Sequence, residues 1–319
     1  MVASIAGLSV FDAAAVRERL TYGAAIPRVR EAMIALSDGR ARQLLRSFIG
    51  LGEGRTFAIM PAALSEREAF GAKLVSVFHD GQGRKAHEGL VVLFDGGSGA
   101  PVALADAGEV TAIRTAAASA VATDALARKD ARVLAIVGTG RQAEAHIAAL
   151  RQVRDFDEVR VWGRDPARTA AFAQAHGLAH DPAAGDLPGV LAGADVVCTV
   201  TASVDPVVRG EWISPGAHVN VVGSSGPGQA EIDAALVARA RFLVDHREHV
   251  LAHGGEFLRA KAAGLVGDDH IAGEIGEVLT GKIAGRASDS DVTIYKSLGH
   301  AVQDLAVVAW LHERTLECA

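Results

Sequence analysis

The chain has 319 residues, 32 Lys and Arg against 38 Asp and Glu, 50% hydrophobic residues and 22% charged ones. That length suits about two domains, each able to bury its own core. The composition excludes wholesale disorder, and a net charge of -6 argues against a general nucleic-acid partner.

The N-terminal segment 11–38 reads as helix with a break at Pro27. Strand-like runs follow at 44–50, 55–60, 72–78, 89–94 and 101–106, separated by glycine-rich turns. This spacing predicts a largely antiparallel sheet or small barrel. Residues 109–128 have helix-forming composition and bridge to a second domain. There the pattern changes. Short apolar strands at 132–137, 159–162, 195–200, 218–222 and 241–245 alternate with helices, including 142–152 and 166–176. Such alternation implies a doubly wound parallel sheet. The tail, 292–319, holds a final helix expected to pack back on the first domain. No apolar run approaches the ~18 residues of a membrane span. The first residues lack the basic start of a secretory leader. Cys198 and Cys318 make neither a disulfide framework nor a zinc pattern, so a reducing, cytoplasmic setting is expected.

The strongest local signal is AIVGTGRQAEAH, in which Gly138, Gly140 and Ala143 form GxGxxA between a strand and a helix. Gly138 permits the tight turn, Gly140 lets backbone approach a pyrophosphate, and Ala143 keeps helix and strand close. The helix N-terminus offers free N–H groups to phosphate. Thr139, Arg141 and Gln142 complete the expected contacts. NAD enzymes usually carry an acidic residue at the end of the second strand. This chain has Gly163 and Arg164 there, which favours NADP(H), with NAD(H) as the alternative. Asp165 lies beside them.

The stretches IMPA (59–62), AKLVSVF (72–78), GEVTAIRTAAASAVAT (108–123), VGTGRQAEAH (137–146), VGSSGPGQAEID (222–233) and DVTIYKSLGHAVQDLA (291–306) resemble the ornithine cyclodeaminase/mu-crystallin family. The resemblance covers nearly the whole chain. It implies a Rossmann-type NAD(P)-binding domain at 116–292. It also implies a smaller α+β domain, 1–115 with 293–319, that binds substrate and forms a homodimer. Arg46, Lys73 and Arg114 fall on the family's substrate positions. The chemistry agrees: an amino or imino acid carries a carboxylate, Arg grips it bidentately, and a desolvated Lys can bind it or move a proton. Arg114, Thr115, His87, Thr201, Gly223, Ser224 and Lys296 fall on positions expected at the dinucleotide, Lys296 in a loop near the nicotinamide.

One departure bears on chemistry. Cyclodeaminases and alanine dehydrogenases of this family read G-x-D-x-P-G-K where this chain reads Gly223-Ser224-Ser225-Gly226-Pro227-Gly228-Gln229. Ser225 replaces the expected acid/base carboxylate, and a serine is no general base near neutral pH without help. Imine reduction needs only a hydride donor, a carboxylate clamp and geometry. The expected activity is NAD(P)H-dependent reduction of a 2-imino acid, such as pyrroline- or piperideine-2-carboxylate. Lys73 and Ser225 are the expected catalytic residues. Ornithine cyclodeamination, alanine dehydrogenation and non-catalytic ligand binding are the competing readings. His246, His249 and His253 share one helical face but read as a solvated or interface face, and no metal is expected.

Overall fold

A computed structural model describes residues 7–65, 68–79, 85–178 and 186–317. The chain forms two compact units, Met1–Thr115 with His300–Ala319, and Ala116–Gly299.

The first unit opens with β1 (Ser9–Phe11), α1 (Ala13–Arg19) and α2 (Tyr22–Ser37). The helical segment is broken as expected, but the break falls at Leu20–Thr21 rather than at Pro27. Capping decides this: Asp12 accepts from the Ala15 amide at 2.8 Å, and Thr21 from the Ala24 amide at 3.3 Å. Pro27 is accommodated inside α2. Next come β2 (Arg42–Gln43), β3 (Ser47–Gly52), β4 (Arg55–Ala63), β5 (Phe70–His79), β6 (Lys85–Phe94) and β7 (Pro101–Asp106). The expected strand at 44–50 thus begins at Ser47. The sheet runs β1-β7-β6-β5-β4-β2, with β3 also on β4; β1 is parallel to β7 and the other pairs are antiparallel.

Helix α3 (Ala107–Leu126) follows, and its first turns belong to this unit. The last helix, α11 (Ala301–Glu317), packs on α2 and on β4 to β7. Period-2 alternation sorts the sheet into two faces. Ala58, Met60, Val91, Leu93, Ala103 and Ala105 are buried on one. On the other, Val10 (69%), Ile49 (52%), Leu90 (46%) and Phe70 (39%) are exposed.

The second unit contains β8 (Val133–Val137), α4 (Arg141–Leu150), β9 (Glu158–Trp162), α5 (Pro166–Ala175), α6 (Leu187–Leu191) and β10 (Val196–Thr199). It continues with β11 (His218–Val221), α7 (Ala234–Arg239), β12 (Arg241–Val244), α8 (Arg247–His253), α9 (Gly255–Ala262), β13 (Ile271–Glu274), α10 (Ile275–Leu279) and β14 (Thr293–Lys296). All strands are parallel, in the order β13-β12-β14-β11-β10-β8-β9. This is the expected doubly wound α/β sheet, with two strands, β13 and β14, that the sequence reading passed over. IAGE carries Gly and Glu and TIYK ends in Lys, so neither shows the short apolar run that marks the other strands. Because β14 lies between β11 and β12, residues 293–299 belong to the parallel sheet, and the second boundary moves from 292/293 to 299/300.

The apolar core of this unit is threaded by neutral polar groups. His146 donates from Nδ1 to the Gln142 carbonyl (2.7 Å), so Nε2 accepts from the Ser119 hydroxyl (2.9 Å). His218 pairs with Thr293 (3.0 Å) and Asn220 (3.2 Å), and Asn220 donates to Thr123 at 2.9 Å. Burial lowers the pKa of His146 to about 4 and that of His218 to about 3. Unfolded histidines take up protons below ~6.5, whereas these two stay neutral when folded. Stability is therefore lost as pH falls from ~6.5 toward each folded pKa, at about 1.4 kcal/mol per pH unit for each histidine. Melting temperature should drop steeply between pH 6.5 and 4.5, and His218→Gln should flatten that slope.

Candidate active site

In the first unit two basic residues converge on one carboxylate. Lys73 lies on β5, on the buried face opposite Met60 and Val91. Arg114 lies on α3, Asp304 on α11, and all three side chains are buried. Asp304 Oδ1 accepts from Arg114 Nε at 3.0 Å and from Lys73 Nζ at 3.3 Å. Arg114 also donates to Gln303 Oε1 at 2.9 Å, and Lys73 to the Thr111 hydroxyl. Burial lowers the Lys73 pKa to about 8. Asp304 pulls it up, while Arg114 and Arg46 push it down. Arg46, half-buried in the segment before β3, thus acts on the same group. Two buried cations share one buried anion, so the cluster is one positive charge in excess before Arg46 is counted. Buried positive charge without a counter-ion is costly, so the cluster has the charge to suit an anion. Asp304, Gln303 and Thr111 were missed by sequence reasoning. HAVQDLA places Asp304 in an apolar helix, and that isolation was the available signal. Thr115, also buried on α3, closes this unit. His87 pairs with Val77 on β6, but its side chain lies outside the described residues.

In the second unit the glycine turn sits where the strand order reverses, between β8 and β10. Gly138 has φ +135°. It donates to the Trp162 carbonyl at 2.8 Å, and a Cβ there would lie 2.9 Å from the Val200 carbonyl oxygen. Gly140 is the N-cap of α4; nothing lies within 4 Å of the position a Cβ would take. The residues present therefore suit a pyrophosphate, with open space beside Gly140 and a helix N-terminus without a side-chain cap. At the end of β9, Gly163 is required by packing, because a Cβ would meet Thr139 Cγ2 and Thr169 Oγ1, both at 2.8 Å. Arg141 and Arg164 are exposed, and Gln142 is half-buried. The Asp165 carboxylate is taken up as the N-cap of α5, accepting from the Arg168 amide at 3.1 Å. Arg168, which the sequence reading missed, reaches the Thr139 carbonyl at 3.4 Å.

Two buried carboxylates order the loops after β10 and β11. Glu231 accepts from Thr199 Oγ1 (2.8 Å), Thr201 N (2.5 Å), Thr201 Oγ1 (2.7 Å) and Gly223 N (2.6 Å). Burial raises its pKa against the pull of these hydrogen bonds and of Lys296. Glu256 accepts from the Ser224 hydroxyl and the Glu231 amide, and pairs with Lys296 at 2.9 Å. The expectation of Lys296 in a loop is corrected: it ends strand β14, fully buried, and donates to Ser224 O and Oγ at 2.6 Å each. The Ser224 hydroxyl is likewise turned inward, and Ser225 is exposed. His249 is buried, against the expectation of a solvated or interface face, and among the described residues no cluster could hold a metal ion.

A doubly wound sheet with a glycine turn at its switch point is the architecture of dinucleotide-binding oxidoreductases. The chain belongs to the ornithine cyclodeaminase/mu-crystallin family, whose model matches residues 9–319. It is 36% identical over 296 residues to the ketimine reductase mu-crystallin of Mus musculus, covering 90% of this chain and 91% of that protein. It is 35% identical over 299 residues to a Δ1-pyrroline-2-carboxylate reductase of Bacillus cereus, covering 91% and 92%. The structure of Thermococcus litoralis Δ1-pyrroline-2-carboxylate reductase in complex with NADH and L-proline superposes with a TM-score of 0.90 at 28% identity, covering 98% of each chain. Among the described residues no helix is long and apolar enough to cross a membrane.

Two glycines separate structural from ligand-facing roles. A Cβ at Gly223 would lie 2.0 Å from the Thr201 carbonyl oxygen and 2.5 Å from Glu231 Oε1, whereas one at Gly140 meets nothing. Gly223→Ala should lower the melting temperature by about 5 °C or more, and Gly140→Ala should leave it within about 2 °C. If Gly140 faces the pyrophosphate, Gly140→Ala should still weaken NAD(P)H binding about tenfold or more in a fluorescence titration.

Proposed function

We propose that this chain reduces 2-imino acids, ketimines of the pyrroline- or piperideine-2-carboxylate kind, to the corresponding amino acids with NAD(P)H. The observation that carries this reading is the excess of buried positive charge around Asp304, which calls for a small carboxylate. Family membership supports it, as do relatives named as ketimine and pyrroline-2-carboxylate reductases.

When bound, the reduced nicotinamide supplies a hydride. The chain's own residues handle the rest. Arg114 and Arg46 hold the substrate carboxylate through charge-assisted hydrogen bonds. Lys73, with a pKa of about 8, carries a proton near neutral pH and can release it. Each hydride added to carbon requires one proton on nitrogen; Lys73 gives it and recovers one from solvent. Ser225 supplies no base, and reduction requires none, which separates this chemistry from cyclodeamination. A network of buried carboxylates holds the loops that carry Thr201, Gly223 and Ser224, so these act chiefly through backbone. Lys296 and Ser224 serve as positioning residues rather than direct contacts.

For the cofactor we favour NADP(H). Arg164 in the loop after β9 and Arg168 in the first turn of α5 suit a 2′-phosphate, while the Asp165 carboxylate is engaged in capping α5. The solved relative holds NADH, so the preference belongs to this chain's loop and is to be tested on it. For assembly we favour a homodimer through the apolar sheet face that carries Val10, Ile49, Phe70 and Leu90.

Purified protein with Δ1-pyrroline-2-carboxylate should consume NADPH faster than NADH, followed by dihydronicotinamide absorbance. Lys73→Met should lower kcat/KM by about 10²-fold or more, and Ser225→Ala by less than about tenfold. No consumption across a panel of cyclic and linear ketimines would overturn the reading. Light scattering should give twice the chain mass, and Leu90→Glu should shift it toward the monomer.

A further inference from the structure

We propose that Asp304, with Thr111, is a positioning residue that aims the transferable proton of Lys73. This rests on the reductase reading above and adds residues to it.

The argument starts from the valences of an amine. The Thr111 hydroxyl donates to the Ala107 carbonyl at 2.5 Å, so it meets Lys73 as an acceptor. Asp304 Oδ1 is a second acceptor, 3.3 Å from Nζ. The two acceptors come from different helices, α3 and α11, and both are held in place. Thr111 is fixed by its own helix, and Asp304 by Arg114 Nε at 3.0 Å. Two of the hydrogens on Nζ are therefore committed. The remaining tetrahedral position is a third N–H when Lys73 is charged and a lone pair when it is neutral. Both contacts survive either state, so the side chain can lose and regain a proton without turning. One fixed direction is left for the substrate nitrogen, which is what efficient proton transfer requires.

The charges around Lys73 fit this role. Asp304 faces it from α11, Arg114 from α3, and Arg46 from the segment before β3, while Thr111 is uncharged. Asp304 is the group that favours the charged form, and both arginines oppose it. Without the Asp304 carboxylate, Lys73 would be neutral at a lower pH and would lose its aim. Asp304 Oδ2 has no hydrogen-bond partner among the described residues, so the carboxylate is oriented through Oδ1.

The chain has six lysines (73, 85, 129, 261, 282 and 296), few enough for ¹³Cε NMR titration of each. The test compares the Lys73 titration with the pH profile of kcat/KM in wild type, Asp304→Asn and Asp304→Glu. Wild type should titrate near pH 8, with kcat/KM falling as pH rises through that value. In Asp304→Asn both should move down by about one unit or more. Asp304→Glu keeps the charge and should return the titration toward wild type, while kcat stays about tenfold low because the aim is not restored. NAD(P)H binding reports folding. If Asp304→Asn fails to bind it, Thr111→Val decides instead, with kcat expected to fall about tenfold and KM to change less than about threefold. A Lys73 titration or kcat/KM limb that stays put in Asp304→Asn, or a Thr111→Val enzyme with wild-type kcat, overturns the proposal. If wild type reduces no ketimine, the reductase reading falls by itself, and the titration still reports the Asp304–Lys73 coupling.

Discussion

Two cations buried against one carboxylate set the terms for the first unit. Lys73 and Arg114 lie on β5 and α3 under the cover of α11, where water cannot solvate them, and Asp304 answers only one of the two charges. Replacing such a cluster with apolar side chains would often cost a fold nothing or even stabilise it. Its presence inside a packed unit is therefore an argument for use. The surplus charge is what the proposed substrate carboxylate would meet. Burial, aided by Arg114 and Arg46 against the pull of Asp304, brings the Lys73 pKa to about 8, into the range where a lysine can exchange protons.

The second unit solves a different problem, which is to hold loop backbone in place beside a glycine turn. Glu231 gathers one donor from the end of β10 and three from the loops after β10 and β11, and Glu256 joins those loops to Lys296 on β14. The carboxylates of Glu231 and Glu256 and the hydroxyl of Ser224 face inward, which holds the loop backbone in place. That suits recognition of a dinucleotide by its phosphates and shape. It also fits the proposed supporting role of Lys296 and Ser224, whose polar atoms bond one another and Glu256.

Much of this was legible in the sequence because it is local. The GxGxxA turn and the alternating strands and helices of the second unit are readable from spacing and residue type, whereas the cations at 46, 73 and 114 stand out only through the family resemblance. What escaped was non-local or short. Strands β13 (IAGE) and β14 (TIYK) lack a clear apolar run, and β14 owes its place to neighbours from β11 and β12. The break between α1 and α2 went to a threonine cap rather than to Pro27. Asp304 and Thr111 acquire meaning only when α11 and α3 meet β5, and Glu231 only when two loops close on it. None of these partners is near in sequence.

The central claim is that the cluster at Lys73, Arg114 and Asp304 exists to receive a negative charge. Calorimetric titration with pyrrole-2-carboxylate and with its uncharged carboxamide tests it directly, because the two ligands share size and shape. The account predicts that the anion binds about 10²-fold or more tightly than the amide, and that Arg114→Met erases the difference. Equal affinity for the two ligands would contradict it.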